Sequence, residues 1–177
     1  MKTTLFYGLI LAAINIVLTL VGFFLGFQTD KIAEGRWFGF LTFILAIVII
    51  WLGTKAVREE AKDKALSYGK GVASGVLISA YSGLLTSVYS FVHLTFINPN
   101  FREYMLNSMR EKWTAAHMTD AQMEAAEKVM NIMMSPVMAS ISGLIMSVLF
   151  GLVVALVVSA FLKREPQAEF RDATPAV

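Results

Sequence analysis

SYGKGVASGVLISAYSGLLTS, residues 67–87, admits two readings with opposite consequences for the fold. Gly69, Lys70 and Gly71 ahead of an apolar run look like the phosphate-cradling loop of a nucleotide-binding domain. Gly71, Gly75, Ser79, Gly83 and Ser87, four residues apart, instead mark one flank of a helix. The first reading fails on spacing. G-x-x-x-x-G-K-[ST] requires Ser or Thr where Gly71 stands and glycine where Lys64 stands, and G-x-G-x-x-G requires glycine at Ser74. Both motifs must also follow a strand, and neither string does.

The second reading has a counterpart later in the chain. Ser135, Ala139, Gly143, Ser147, Gly151, Ala155 and Ser159 repeat the same four-residue step. Lipid tails give apolar side chains no preference for one another, so helices in a bilayer associate through small residues that let backbones approach. A four-residue step drifts ~40° around a straight helix, so three or four positions in sequence meet one neighbour. The rest meet another helix or another copy. Gly75→Leu and Gly143→Leu are therefore both expected to weaken the fold or an oligomer.

Composition agrees with a membrane setting. Hydrophobic residues make up 56% of the 177-residue chain and charged residues 16%, against ~25% charged in soluble domains; the mean hydropathy is +0.64. A net charge of +2 gives no reason to expect nucleic acid. The absence of cysteine excludes disulfides and thiolate chemistry.

Four stretches carry no Asp, Glu, Lys or Arg: 5–27, 37–54, 71–97 and 137–162. At ~1.5 Å per residue all reach or nearly reach the ~30 Å of a hydrocarbon core. The first is too long for a signal peptide's apolar region and lacks an A-x-A site, so it reads as a retained span. Nine Lys and Arg residues fall on the side of the termini and six on the other. The positive-inside rule then places both termini in the cytoplasm. Trp37, Trp51 and Tyr7 lie near span ends, where aromatic belts form.

Residues 98–136 form the one sizeable segment outside the membrane, on the extracytoplasmic side in this topology. Asn98-Pro99 reads as a helix start. Phe101, Tyr104, Met105, Met109, Trp113 and Ala116 recur with helical period, and Thr119 with Gln122 has the form of a capping box before a second helix. A helical hairpin is expected, turning near residues 116–118. The glutamates and lysines after the second span, with Glu60 and Lys64 at i,i+4 spacing, read as its solvated extension. Met105, Met109, Met118, Met130, Met133, Met134 and Met138, with His117, are soft ligands of a kind copper(I) accepts. Several fall where packing alone puts apolar residues, and packing is the reading taken, with no metal and no cofactor expected.

The spans contain few polar groups to argue from. Asn15 is expected to make an interhelical hydrogen bond, His93 to hydrogen-bond near the interface, and Tyr81 and Tyr89 to reach across the bundle. No catalytic constellation is found, so the protein is not expected to be an enzyme. The fold class expected is all-α: one four-span domain with an extracytoplasmic hairpin and a tail from 163 to 177.

In order along the chain stand Tyr7-Gly8-Leu9, Gly53-Thr54-Lys55-Ala56-Val57-Arg58, Leu66-Ser67-Tyr68-Gly69-Lys70, Asn100-Phe101-Arg102-Glu103-Tyr104 and Ser135-Pro136. With this series the chain resembles the bacterial four-span membrane family catalogued as domain of unknown function 4199. That family tends to carry an aromatic soon after the lysine of the third block, where this chain has Gly71-Val72-Ala73. The resemblance implies topology and a bacterial inner-membrane location, and brings no active-site residues. The function expected is a structural or interaction module packing through small-residue helix faces. Its partners would be the bilayer and a second copy or another membrane or periplasmic protein. The alternative is a small channel or transporter for a neutral or lipid-like solute.

Overall fold

The structure, a computed structural model, describes residues 1–61 and 64–164. The tail expected beyond Arg164, and Lys62 and Asp63 in the charged stretch, lie outside the described residues. Among the described residues six α-helices follow in order: α1 (Lys2–Phe24), α2 (Arg36–Glu60), α3 (Tyr68–Val92), α4 (Phe101–Ala115), α5 (Asp120–Met133) and α6 (Pro136–Leu162). A π-helical turn, His93–Ile97, prolongs α3. Four of these are long and apolar enough to cross a membrane: α1, α2, α3 with its π turn, and α6.

Local chemistry sets the ends. α1 stops in a Schellman motif, in which Phe27 N–H bonds to Gly22 O and Gly26 N–H to Phe23 O. Gly26 supplies the left-handed conformation the motif needs, with φ of +82°. α3 starts where Ser67 Oγ accepts from Lys70 N–H, so the glycine-lysine string is a helix entry. α6 starts with Ser135 as cap and Pro136 in its first turn. α2 runs through the charged stretch to Glu60 and ends there. Lys64 is thus off the helix and cannot pair with Glu60 at i,i+4; Lys55 and Glu59 stand 3.8 Å apart instead, and Glu60 accepts from Thr3 Oγ1.

α3 packs against α1, α2 and most extensively α6, while α2 also touches α1 and α6. The four spans therefore form a rhomb with α2 and α3 on its short diagonal. The buried core lies toward the end that holds the N-terminus and Arg164. It comprises Leu11, Ala46, Ile50, Leu66, Ile78, Val154, Val158 and Leu162. Leu66 is held there by reciprocal backbone bonds with Arg164, both 2.9 Å. Tyr7 turns inward against this core and Gly53 rather than into an aromatic belt, because the glycine leaves the room its ring fills.

At the opposite end α4 and α5 pack on each other, and α5 touches α6. The capping box of Thr119 and Gln122 is formed. Arg110 and Glu127 join the two helices by a two-pronged ion pair, Nη2 to Oε2 at 2.9 Å. That hydrogen-bonded guanidinium holds the Glu127 carboxyl below its ordinary pKa. α4 starts two residues later than Asn98-Pro99 suggests, with Asn100 at the cap position. Asn98 is committed elsewhere, its Nδ2 donating to Gln28 O at 3.1 Å.

Candidate functional site

The two small-residue stripes face each other. A Cβ added at Gly71 would stand 2.7 Å from Ser159 Oγ, one at Gly75 2.6 Å from Ala155 Cβ, and one at Gly83 3.0 Å from Ser147. Gly151 lies against Ser79. Each step of four along α3 is matched by a step of four back along α6, which makes four antiparallel rungs. Ser147 Oγ also donates to Ser79 O at 3.1 Å, tying the helices by a side-chain bond.

The next rung would be Ser87 with Gly143, and it is not made. A Cβ at Gly143 would meet nothing within 4 Å. The expectation that Gly143→Leu weakens the fold is therefore corrected for packing within one copy, because the spans have diverged by this level. Ala139 lies further along the diverging part of α6 and is half-buried.

Where the rungs stop, a cavity of about 650 Å³ begins. Ser87 and Gly143 both line it. Its floor is the top of the core, at Leu11, Ala46, Ile50 and Ser79. Its walls carry Asn15 and Thr19 from α1, Thr42 and Phe43 from α2, Thr86 and Ser90 from α3, and Ser140, Met146 and Phe150 from α6. Phe27, Gln28, Phe101 and Met105 roof it, so α4 contributes its first turns to the site. Among the described residues no Asp, Glu, Lys or Arg lines this space. Its volume falls within the ~300–1,000 Å³ usual for small-molecule sites.

One polar network fixes the roof. His93, only 2% exposed, has Nε2 at 2.9 Å from Gln28 Oε1 and Nδ1 at 3.1 Å from Tyr89 Oη. Gln28 Nε2 donates to Thr19 O at 2.9 Å, which points the amide oxygen at the imidazole. An amide oxygen only accepts, so His93 carries its hydrogen on Nε2, and the bare Nδ1 accepts from Tyr89. The ring thus locks the α1–α2 loop to α3, and Asn98 reinforces the lock through Gln28 O. The π turn that begins at His93 closes with Asn98 N–H bonding to His93 O at 2.7 Å, a local widening of the type found at functional sites.

Two expectations for polar residues change. Asn15 lines the cavity, and its buried Oδ1 has no partner among the described residues in place of the interhelical bond expected. Tyr89 bonds to a residue four positions on in its own chain segment, and Tyr81 lays its Cβ over Gly8. The bundle is crossed by His93 and Gln28. Gln28 was not legible as a site residue, since its only signal is an amide just past an apolar run.

A second, smaller cavity of about 350 Å³ lies at the terminal end, where Thr3, Glu60, Lys70 and Ser74 meet. Among the described residues no cluster of three or more His, Cys, Asp or Glu is placed to hold a metal ion.

No curated protein and no solved structure matches the chain. The family described as "Protein of unknown function (DUF4199)" matches residues 6–164, which takes in all six helices apart from the first residues of α1. The chain is a multi-pass membrane protein of that family.

Proposed function

We propose that the protein is a solute-binding membrane protein, not an enzyme, whose site is the cavity between α1, α2, α3 and α6. The observation that carries this reading is an uncharged, hydroxyl- and amide-lined space of about 650 Å³ at membrane depth. An unpartnered polar atom, Asn15 Oδ1, stands in its wall. A buried amide oxygen without a partner is costly, and a ligand that donates to it relieves that cost. The core closes the terminal half below the cavity, so this conformation is a binding chamber and not an open pore. Passage of a solute would require a second conformation.

The excess of Lys and Arg toward the terminal end favours both termini in the cytoplasm of a bacterial cell, with the α4–α5 hairpin across the inner membrane. A second reading, an interaction module, is favoured by Val129 and Ile132, which stand exposed on α5. Its partner would be a second copy or a periplasmic protein.

Native mass spectrometry of protein released from its own membranes tests the first reading. A bound small molecule on the wild type, absent from Gly143→Leu, supports it. An unliganded wild type that instead carries a stoichiometric protein partner favours the second.

A further inference from the structure

We infer that the ligand is a single-chain lipid with an uncharged, hydroxyl-bearing head, and that it enters from the bilayer between α2 and α6. This rests on the solute-binding reading and names the class of solute.

The head group follows from where the cavity's own hydrogens point. Thr86 Oγ1 donates to Ser82 O, Ser87 Oγ to Leu84 O and Thr19 Oγ1 to Asn15 O, at 2.8–2.9 Å. Ser140 Oγ donates to Pro136 O and Ser147 Oγ to Ser79 O. A hydroxyl has one hydrogen and two lone pairs. With their hydrogens directed at backbone carbonyls, these groups present the cavity with acceptors. Asn15 lies in the same wall, its Oδ1 buried and unpartnered. The hydroxyls of Thr42 and Ser90 line it too and have no acceptor among the described residues. The wall thus offers donors beside its acceptors and suits a ligand that brings hydroxyls, which do both. It does not suit a carboxylate or phosphate, because among the described residues no Lys or Arg lines it, nor an ammonium, because none of their Asp or Glu does. A charged head would be desolvated there without a counter-charge.

The chain follows from where the cavity opens. Phe43 on α2 and Met146 on α6 line it and are 52% and 62% exposed, and Gly143 beside Met146 faces open space. These positions lie on two spans that meet lower down. Gly143 and Phe150 stand about 10 and 21 Å along α6 from Pro136, within the depth of the hydrocarbon core. Phe43 and Phe150, with ring centroids 5.1 Å apart, are in contact and form the apolar lower edge of this opening. An acyl chain lies in the opening beside Gly143 and Met146, and the head reaches toward Asn15.

The test is saturable binding of tritiated 1-monooleoylglycerol to the full-length protein in phosphatidylcholine nanodiscs, measured above empty nanodiscs. Labelled oleate, 1-oleoyl-lysophosphatidylcholine and glycerol are run in parallel. We expect one saturable site for monooleoylglycerol, with unlabelled monooleoylglycerol displacing at least about tenfold more effectively than oleate or the lysophospholipid, and no displacement by glycerol. Gly143→Leu, which places a side chain in the mouth, is expected to abolish binding. Asn15→Leu is expected to weaken it about tenfold, the effect of losing one buried hydrogen bond. If oleate or the lysophospholipid competes equally, or glycerol alone binds, the lipid class is wrong while the cavity remains a binding site. If none of the four probes binds saturably, both readings fall. Unchanged affinity in both variants would remove the ligand from this cavity.

Discussion

Gly75 on α3 faces Ala155 on α6 so closely that a Cβ on the glycine would stand 2.6 Å from the alanine's Cβ. Ile50 closes the same spot from α2, 3.2 Å from that Cβ position, so no flexible side-chain end is free to yield. Gly75→Leu is expected to destabilise the bundle by about 1–3 kcal/mol, the usual effect of overpacking. Gly143→Leu should stay within about 0.5 kcal/mol of the wild type, as substitutions into open space do. Thermal unfolding in mild detergent measures both, and equal losses would contradict the divergence of the spans.

The imidazole of His93 is satisfied at both nitrogens by groups from two parts of the chain. His93→Leu leaves the Gln28 amide oxygen and the Tyr89 hydroxyl without their partner, which should cost about 1–3 kcal/mol. A double-mutant cycle with Gln28→Leu is expected to show coupling of about 0.5 kcal/mol or more. Additive losses would mean that the two side chains do not bond.

The α4–α5 hairpin depends on pH through Arg110 and Glu127. The hydrogen bond from Arg110 is the first cause of the lowered Glu127 pKa. A carboxyl depressed in the folded state stabilises it above the ordinary glutamate value of 4.5. That contribution is lost as pH falls through the lower folded value. Hydrogen-exchange protection factors along the two helices, corrected for the intrinsic rate at each pH, should thus be unaffected by this pair between neutral pH and about 5, and should fall on further acidification. Arg110→Ala removes the cause of the difference between the folded and unfolded carboxyl, so the hairpin should be less protected already at neutral pH and its acid-dependent loss of protection should disappear. An identical acid profile in that variant would remove the pair from the account.

Orientation is open to direct chemistry because the chain has no cysteine. With single cysteines at Lys112 and Lys163, a membrane-impermeant maleimide on intact spheroplasts should label only Lys112→Cys. Labelling of Lys163→Cys alone would invert the topology.

Much of this architecture was written in the sequence, and the parts that were not share a cause. Span positions follow from charge-free runs, so three of the four both begin and end within three residues of the limits read from hydropathy. α2 outran its apolar stretch because Lys55–Glu60 continues as a good helix after leaving the membrane, and hydropathy reports depth instead of helix length. The four-residue stripes named the residues that touch, but their register and their end at Ser87 and Gly143 depend on how far two distant helices splay. The cavity was illegible for the same reason. Asn15, Phe43, Thr86 and Met146 are ordinary residues one at a time, and only the packing of four helices brings them to one space.

Met146 and Val153 offer the most direct test, being 62% and 61% exposed on the same helix while only Met146 lines the cavity. A benzophenone amino acid placed at each position and photolysed in native membranes captures whatever lies beside it. A distinct small-molecule adduct is expected at position 146 and ordinary bulk phospholipid at position 153. The same phospholipid adducts at both positions would contradict a binding site in this cavity.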